Sequence, residues 1–387
     1  MKKTITIILI VLASVAVLGA AAAGAYFGLN TFVGDEVIPV STVELDLSGK
    51  NIEPVELKAL ERCEKLENLD IRGINITVRQ FDELQALLPE CDILWSVPVG
   101  MERFDSNITE FSMAAEYASD LDNLRYFTGL TSADVTGTKA DDEQLYELNR
   151  SLPGIELYWT VTINGEEYPT ETTTELDFSK TVLSDPSVLK CFPNLTRLSL
   201  APKTITDLSV LEGLTKLEYL DIGGNQCTDI SALSGMTELV ELDLSDTWSN
   251  DGNKDLTPLA GLTKLEVLNL NHCNGENYEV IAGLPALREV NLTYFGGSST
   301  DYSFFSQMTS LEKLDLTYSG MLNSDFEYLA PLTSLKELDL NGIYVTDPSA
   351  LHSLVNLEKL VIRSEGISKE DRNALTNALP NCKITWD

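Results

Sequence analysis

The side chains best suited to bind a ligand recur at a fixed spacing along the chain. In the second half they are carboxylates and amides at one repeated position: Asp243, Asn269, Asn291, Asp315 and Asp339. Aspartate fills the same position earlier, at Asp46, Asp70, Asp134, Asp177 and Asp221. Carboxylates that face outward about 5 Å apart repel one another, which is a cost that a fold need not incur. The column is therefore a candidate surface for a cationic or polyhydroxyl ligand. The alternative is that aspartate is the usual filler of this position.

Aromatic side chains follow this column three residues later in three successive repeats: His272, Tyr294 and Tyr318. Trp248 and Phe295 flank them, and Tyr344 stands two residues further along in its own repeat. A position just past a strand faces out of the fold, so we expect these rings to be at least partly wet. Aromatic area beside hydrogen-bonding groups is the mixture that binding hot spots favour, and we predict a ligand surface here. The alternative is that the rings lie flat and shield the edge of the core.

Metal-binding and catalytic residues are scarce in this sequence. The loop Asp246–Asp255 is rich in oxygen atoms, but its spacing fails the calcium-loop pattern, which would put Pro258 at the twelfth position. We therefore expect a solvated loop and no metal site. The chain has 2 histidines, and it lacks a nucleophile elbow, a phosphate loop and a His-Glu-x-x-His motif. The sequence gives no sign of an enzyme or of a cofactor.

Six cysteines are spaced irregularly, without a disulfide framework or a paired metal motif. Each stands where the repeat described below calls for a small buried residue. We therefore expect unpaired thiols in the core.

The element that must position these side chains is a repeat, and its clearest copy is Leu217–Cys227. Apolar residues stand at positions 1, 4, 6 and 11 of this copy, while positions 3, 5 and 7 alternate outward along a short strand. Asn225, at position 9, should turn the chain by bonding backbone groups, and Asp229 should cap a short helix or 3₁₀ turn. One coil cannot bury its own apolar face. Successive coils must therefore stack, with a parallel sheet on one side and short helices on the other.

Copies of this repeat cover nearly all of the chain after residue 40. Residues 42–107 and 108–172 resemble two copies of a larger unit of about 65 residues, each ending in a β-hairpin, near Gly100 and at Asn164-Gly165. From residue 173 the repeats run without interruption, and their first positions are Thr173, Leu195, Leu217, Leu239, Leu265, Leu287, Leu311, Leu335 and Leu357. The chain ends with a third Leu-Pro-x-x-x-(Ile/Leu)-x-Trp element, whose tryptophan is expected to cap the last coil. About 16 strands would make a sheet about 70 Å long.

The first residues differ from the rest. Lysines at positions 2 and 3 precede an uncharged run from Thr4 to Gly34, which is longer than the roughly 20 residues that span a bilayer. The run could equally be a secretory signal, because small residues follow its most apolar part. We therefore expect the remainder of the chain outside the cytoplasm, either tethered by residues 4–33 or secreted.

The predicted organisation has three parts. They are a signal or anchor segment (residues 1–36), an N-terminal repeat region with two hairpins (37–172) and a regular repeat array with a terminal cap strand (173–387). The net charge is −33, from 60 acidic and 27 basic residues, without a basic cluster beyond the N-terminal pair. Nucleic acid is therefore a poor candidate partner. A cationic partner is compatible with this charge, although the same charge also keeps a surface protein soluble.

From Ile205 to Ile222 the sequence Ile-Thr-Asp-Leu-Ser-Val-Leu-Glu-Gly-Leu-Thr-Lys-Leu-Glu-Tyr-Leu-Asp-Ile resembles the bacterial, internalin-like class of leucine-rich repeats. The ending Leu-Pro-x-Cys-x-Ile-x-Trp is similar to closing segments of cell-surface leucine-rich repeat proteins from Gram-positive gut bacteria. The resemblance implies an α/β fold, a curved right-handed solenoid with a parallel sheet on its concave face and short helices or 3₁₀ turns on its convex face. The sequence departs from the class at the asparagine position, which other residues mostly fill, and it has no C-terminal sorting motif.

The resemblance also implies a non-enzymatic role in binding or adhesion at the bacterial cell surface. The leading interpretation is a monomeric module whose concave face takes a protein or glycan ligand. The alternative is a structural or sensory ectodomain of the cell envelope. In that case an envelope protein would be reached through the hairpins near Gly100 and Gly165.

Overall fold

The computed structural model describes residues 28–113, 118–138, 140–227, 229–247, 255–273, 275–296 and 300–387. The chain divides into two compact units, Met1–Trp159 and Thr160–Asp387. Both are built from short strands in parallel sheets, connected by 3₁₀ turns and short α-helices. This is the leucine-rich repeat architecture that the repeat pattern predicted.

The first unit contains ten strands among its described residues. They are β1 (Asn30–Val33), β2 (Glu36–Pro39), β3 (Glu44–Asp46), β4 (Asn68–Asp70), β5 (Asp92–Leu94), β6 (Ser96–Val99), β7 (Glu102–Asp105), β8 (Glu110–Ser112), β9 (Ser132–Asp134) and β10 (Glu156–Tyr158). Strands β3, β4 and β5 form one parallel sheet, and β8, β9 and β10 form another. The pairs β1–β2 and β6–β7 are antiparallel hairpins.

The second unit begins with the hairpin β11–β12 and continues into one parallel sheet of ten strands, β13 to β22 in chain order. These strands are β11 (Thr160–Ile163), β12 (Glu166–Pro169), β13 (Glu175–Phe178), β14 (Arg197–Leu200), β15 (Tyr219–Asp221), β16 (Glu241–Asp243), β17 (Val267–Asn269), β18 (Glu289–Asn291), β19 (Lys313–Asp315), β20 (Glu337–Leu340), β21 (Lys359–Ile362) and β22 (Lys383–Trp386).

Short helical segments return the chain from one strand to the next. The 3₁₀ turns are η1 (Pro54–Arg62), η2 (Ala118–Tyr126), η3 (Pro186–Cys191), η4 (Leu208–Leu211), η5 (Ser231–Gly235), η6 (Thr257–Gly261), η7 (Ser303–Gln307), η8 (Asn323–Tyr328) and η9 (Ser349–Ser353). The α-helices are α1 (Val78–Leu87), α2 (Asp142–Ser151), α3 (Glu279–Ala282) and α4 (Lys369–Ala378).

Across the described residues, sixteen strands lie in parallel sheets, in agreement with the predicted number. They form three sheets of three, three and ten strands, so the expectation of one sheet about 70 Å long is wrong. The reason is that a hairpin is inserted in the chain after β5 and again after β10. The hairpin β11–β12, which the repeat pattern grouped with residues 37–172, falls in the second unit.

The core of the second unit follows from the register of its sheet. Leu198 pairs with Leu220, which pairs with Leu242, so that position 4 of each coil lies directly above position 4 of the next. These leucines are at most 2% exposed. Because each coil supplies only one layer of the core, its apolar residues are excluded from water only by the coils on both sides.

The turn out of the strand is fixed by side chains, as predicted for Asn225. Its Oδ1 accepts hydrogen bonds from the backbone N–H groups of Thr204 and Ile205, at 2.8 and 3.0 Å, and its amide donates to the Ile222 carbonyl at 2.9 Å. Asp229 stands one residue before the N-cap of η5, and its Oδ1 accepts from the N–H of Ser231, the first residue of that turn, at 2.8 Å. Five other 3₁₀ turns begin with the same bond, from Asp185, Asp207, Asp255, Asp301 and Asp347.

Three ten-residue α-helices were not predicted, and each precedes one of the Leu-Pro-x-x-x-(Ile/Leu)-x-Trp elements. Their N-caps are Thr77, Asp141 and Ser368, each of which accepts a hydrogen bond from a backbone N–H three residues later. The first two also complete capping boxes with glutamine. These caps were the available sequence signal for a true α-helix.

The tryptophans of these elements differ in burial. Trp95 is 0% and Trp159 4% exposed, and the Trp159 indole N–H donates to Asp142 at 3.0 Å. Trp386, on the last strand, is half-buried, and the guanidinium of Arg372 lies 6.0 Å from its ring centre. Strand β22 thus covers β21 with a partly exposed layer.

Both predicted hairpins are present. In β11–β12 the turn residues Asn164 and Gly165 have φ values of 52° and 88°, as a type I′ turn requires. A further hairpin, β1–β2, was not predicted. It places Asn30–Val33 in a paired strand whose Val33 is 0% exposed, and Thr31 donates to the Ala59 carbonyl at 2.9 Å. Residues 30–36 therefore belong to the folded chain, although they were assigned to the N-terminal segment.

The rest of the expected anchor, residues 1–27, lies outside the described residues. In the part of the chain that the structure describes, no helix is long and apolar enough to cross a bilayer.

The cysteines occupy the core layer that the repeat pattern indicated. Five are buried, and Cys382 is half-buried. Cys63, Cys91, Cys227 and Cys382 form no disulfide. Burial raises the pKa of the Cys227 thiol to about 12, which makes this thiol unreactive at neutral pH.

Candidate functional site

The column of carboxylates and amides makes one hydrogen bond that is the same in all ten coils. In each case Oδ1 accepts from the backbone N–H two residues later, at 2.7 to 3.1 Å. The residues are Asp46, Asp70, Asp134, Asp177, Asp221, Asp243, Asn269, Asn291, Asp315 and Asp339. This bond closes an Asx-type turn at the end of the strand. The recurrence of aspartate therefore has a structural cause, whatever else the column does.

The electrostatic environment of the column changes along the sheet. Hydrogen bonds from the Ser179 side chain and backbone hold the pKa of Asp177 below its usual value. Burial raises the pKa of Asp221, and the nearby carboxylate of Asp243 adds to that effect. The same position can thus favour or disfavour a negative charge, according to how far the neighbouring coils exclude water.

The sheet face of the second unit forms a groove of about 410 Å³, which we name the sheet groove. The five candidate residues that line it are Asp243, Asn269, Asn291, Asp315 and Asp339. Lys313 and Lys359 also line it, and they pair with Glu289 at 2.9 Å and Glu337 at 3.7 Å. The Asn269 amide donates to the second carboxylate oxygen of Asp243 at 2.7 Å. Much of the polar surface of the groove is therefore already paired within the protein.

Position 8 of the repeat, three residues past the column, has a left-handed backbone in six successive coils. The φ values lie between 52° and 76°, and the residues are Gly224, Asp246, His272, Tyr294, Tyr318 and Gly342. The N–H of His272 donates to the Thr293 carbonyl of the next coil at 2.9 Å, and the N–H of Tyr294 does the same to Thr317. Glycine adopts this conformation freely, whereas a side chain there costs roughly 1–2 kcal/mol.

The rings of His272, Tyr294 and Tyr318 form a stack that we name the aromatic row. The ring centres of His272 and Tyr294 are 4.2 Å apart, and those of Tyr294 and Tyr318 are 5.1 Å apart with an angle of 14° between the planes. At one end His272 Nδ1 lies 2.7 Å from Asp246 Oδ1. At the other end Tyr318 lies against the backbone of Gly342. Adjacent strands are spaced about 4.8 Å apart, so each coil brings its ring onto the next.

The aromatic row is open to solvent, as the sequence led us to expect. Tyr294 is 46% and Tyr318 53% exposed, and the His272 side chain is 44% exposed. Rings that served only to cover the core would lose most of their contact with water. This row can therefore be touched by a partner.

The other predicted aromatic residues do not join the row. Tyr344 is 56% exposed, but its ring lies against Gly366 in the next coil, and no ring contact with the row is found among the described residues. Phe295 is 2% exposed and belongs to the core. Trp248 lies outside the described residues.

The loop Asp246–Asp255 is described only at its two ends. Asp255 Oδ1 accepts hydrogen bonds from the Thr257 N–H at 2.9 Å and from the Asn277 amide at 2.7 Å, so it ties the first residue of η6 to the following coil. Among the described residues, no group of three or more His, Cys, Asp or Glu side chains is arranged to hold a metal ion.

Two residues of the site were missed from the sequence. Asp246 orients the His272 ring, and Gly342 makes room for Tyr318. The available signal was that glycine fills position 8 in the coils on either side, at Gly224 and Gly342, which indicates a left-handed backbone. An aromatic residue at such a position is uncommon enough to suggest a function.

The family model for leucine-rich repeats, in two copies, matches residues 193–235 and 215–260. Residues 193–260 thus carry the leucine-rich repeat signature, in agreement with the repeat architecture of the described residues. A comparison with curated proteins gave no match.

Solved structures of bacterial leucine-rich repeat proteins are similar to this one. An internalin of Listeria monocytogenes is 19% identical, with 90% of this chain and 82% of that chain covered and a TM-score of 0.44. A leucine-rich repeat protein of Leptospira interrogans is 20% identical, with 90% of each chain covered and a TM-score of 0.47. A second Listeria monocytogenes internalin is 27% identical over 56% of this chain and 82% of that chain, with a TM-score of 0.37. The likeness concerns the repeat fold.

Proposed function

We propose that this leucine-rich repeat protein is a binding module that recognises a protein or glycan at the bacterial cell surface. The observation that carries the proposal is the aromatic row. Three exposed rings stand in succession at backbone positions where glycine would be free of strain. Strain that neighbouring contacts hold in place is concentrated at functional sites in proteins.

The proposed binding surface also takes in the sheet groove. The column residues Asn269, Asn291 and Asp315 stand three positions before His272, Tyr294 and Tyr318 in the same coils. Each coil thus presents one polar side chain and one aromatic ring. This combination gives a partner both apolar contact area and hydrogen-bonding groups, and aromatic anchors commonly dominate binding energy.

The proposed location is outside the cytoplasm. An anchor or signal would have to lie before β1, because Thr31 and Val33 are buried in the first hairpin. Mass spectrometry of the mature protein tests this point. A mature start within residues 20–26 would indicate a cleaved signal, and an intact N-terminus would indicate a membrane tether.

The test of the binding surface is the double variant Tyr294→Ala with Tyr318→Ala. Wild-type and variant protein, immobilised at equal density, are incubated with extracts of host cells and of bacterial envelopes. We expect the variant to lose about tenfold or more in affinity for the captured partner, with little change in melting temperature, because both rings are about half exposed.

A matched control is Val355→Ala, which removes an apolar side chain that is 57% exposed just after η9. It should bind like the wild type. Capture that is equally strong for all three proteins would refute the proposed surface. Unfolding of the double variant would show instead that the rings serve as structural cover.

A second candidate is a sensory or structural ectodomain that reaches an envelope protein through its hairpins. The observation that favours it is Met101, which is 81% exposed in the turn between β6 and β7. Deleting the Val161–Tyr168 hairpin is a poor test, because Val161 and Ile163 are buried and their loss would open the core. Met101→Ser changes only the tip. Loss of envelope-protein capture by Met101→Ser, with capture intact in the tyrosine double variant, would support this second candidate.

A further inference from the structure

Both flat faces of Tyr294 and the outer face of Tyr318 are already in use. Tyr294 lies between His272 and Tyr318, with ring centres 4.2 and 5.1 Å away. The outer face of Tyr318 rests on Gly342, where a Cβ atom would be 2.2, 2.5 and 2.9 Å from Cδ1, Cε1 and Cγ of the ring. The exposed area of the two tyrosines therefore comes mainly from the ring perimeters, which carry the hydroxyl groups.

Covered faces limit what the row can bind. A guanidinium or ammonium group binds an aromatic side chain over its face, where the quadrupole is negative. The C–H groups of a sugar ring stack on the same face. Tyr294 offers neither of its faces, because His272 and Tyr318 occupy them. Face-on binding of a cation or sugar to Tyr294 would require the stack to open.

The edges and hydroxyl groups of the rings suit a different kind of ligand group. The edge of an aromatic ring is positive and attracts carbonyl oxygens and the faces of other rings, and a phenol hydroxyl both donates and accepts hydrogen bonds. In the coil of Tyr294, Asn291 uses Oδ1 for the N–H of Thr293, which leaves its amide nitrogen as a donor. Asp315 uses Oδ1 for the N–H of Thr317, which leaves its other oxygen as an acceptor. Donors and acceptors of this kind complement the C=O and N–H groups of an extended main chain.

The charges around the row disfavour an acidic partner. Asp246 and Asp315 stand near its two ends, and the protein as a whole carries a net charge of −33, so an acidic segment is repelled. One oxygen of Asp243, Asp315 and Asp339 already accepts a backbone hydrogen bond, so a basic side chain would use the second oxygen of the carboxylate. The lysines of the sheet groove are paired with Glu289 and Glu337.

We infer that the aromatic row binds an extended segment of a protein partner that carries no acidic side chains, through the edges and hydroxyls of its rings. The partner presents main-chain carbonyl groups together with aliphatic or aromatic side chains. This inference rests on the proposed function, and it selects polypeptide rather than glycan as the partner of that surface.

The experiment uses two probes on the full-length protein: a displayed library of random peptides and an array of oligosaccharides. Peptides are selected on the wild type and depleted on Tyr294→Ala with Tyr318→Ala. Their affinities are then measured for the wild type, for the alanine double variant, for Tyr294→Phe with Tyr318→Phe, and for Tyr344→Ala as an exposed tyrosine outside the row. Thermal unfolding of every variant establishes that it is folded.

We expect peptides without acidic residues that are rich in aliphatic and aromatic residues. Their binding should weaken about tenfold or more in the alanine double variant, by about two- to fivefold in the phenylalanine double variant, which keeps the edges but loses the hydroxyls, and not at all in Tyr344→Ala. Oligosaccharides that bind in a ring-dependent way would overturn the inference and leave the proposed function standing. If no peptide, oligosaccharide or captured partner binds in a way that depends on the rings, the inference and the proposed function both fail.

Discussion

The ring of Tyr318 rests on the backbone of Gly342 in the next coil. A Cβ atom at residue 342 would lie 2.2 Å from Cδ1 of that ring, far inside van der Waals contact. The φ of Gly342 is 76°, a conformation that side chains rarely adopt. This glycine therefore serves two purposes: it turns the chain, and it leaves the space that the last ring of the aromatic row occupies.

The first prediction is that Gly342→Ala destabilises the protein and displaces Tyr318. Left-handed strain of roughly 1 kcal/mol and overpacking of about 1–3 kcal/mol should together lower the free energy of unfolding by about 2–4 kcal/mol in a denaturant titration. Gly213→Ala is the matched control. The φ of Gly213 is 89° and no atom lies within 4 Å of the added Cβ. Its loss of stability should therefore come from left-handed strain alone.

A double-mutant cycle separates the two contributions of Gly342. When Tyr318→Ala has removed the ring, Gly342→Ala should lower the free energy of unfolding by no more than the Gly213→Ala control does, because the steric conflict is gone. If Gly342→Ala lowers the free energy of unfolding equally with and without the Tyr318 ring, the contact between Tyr318 and Gly342 is contradicted.

The second prediction concerns the backbone of Tyr294, whose φ is 60°. Glycine is usually less stabilising than alanine, but at this φ the order should reverse. We expect Tyr294→Gly to be more stable than Tyr294→Ala by about 1 kcal/mol, because glycine relieves the left-handed strain and both variants lose the same ring. Denaturant unfolding of the two variants measures the difference. The usual order, with alanine the more stable, would argue against a strained backbone in the aromatic row.

Much of this fold was predictable because the repeat is a local signal of fixed period. The spacing of Leu217, Leu220 and Ile222 predicted both the strand and its buried face, and all three residues are 0% exposed. The turn residue Asn225 was predicted for the same reason, since its partners are backbone groups of its own and the adjacent coil.

The features that were not predicted depend on contacts between coils or on weaker local signals. The hairpin β1–β2 lies in a stretch whose hydrophobicity suggested a membrane segment, and its burial against the chain near Ala59 could not be read from composition. The aromatic spacing indicated the row, but it could not distinguish Tyr318, which stacks on Tyr294, from Tyr344, which lies on Gly366. That distinction depends on where each residue stands in its coil, because Tyr344 lies two residues further along its repeat than Tyr318 does.

The third prediction is that the cysteines are free thiols and that burial keeps them from reacting in the folded protein. A thiol reagent added to the folded protein should react first with Cys382, the half-buried cysteine, while Cys91 and Cys227 react only on unfolding. Burial raises the pKa of Cys91 to about 11 and that of Cys227 to about 12, so almost no thiolate is present at neutral pH. After unfolding without reductant, at least Cys63, Cys91, Cys227 and Cys382 should titrate. Two or fewer reactive thiols would contradict this expectation.

The fourth prediction is that Asp221→Asn stabilises the protein at neutral pH. Burial raises the pKa of Asp221 above the 3.8 of an exposed aspartate, so the folded chain holds this proton more tightly than the unfolded chain does. That contribution favours folding below the unfolded pKa, and it is lost as the pH rises through the folded pKa. Asparagine avoids the buried charge. It can also keep the turn, because Asn269 accepts the corresponding backbone hydrogen bond at 3.1 Å.

The control is Asp177→Asn, at the same repeat position two coils earlier. Hydrogen bonds from Ser179 lower the pKa of Asp177, so its charge stabilises the folded chain above the unfolded pKa and this contribution disappears as the pH falls through the folded pKa. We therefore expect melting temperatures at pH 7 to rise for Asp221→Asn and to fall for Asp177→Asn. The first difference should shrink as the pH falls towards 3.8, and the second only as the pH falls below 3.8. Shifts of the same sign for the two variants would show that burial does not distinguish these two carboxylates.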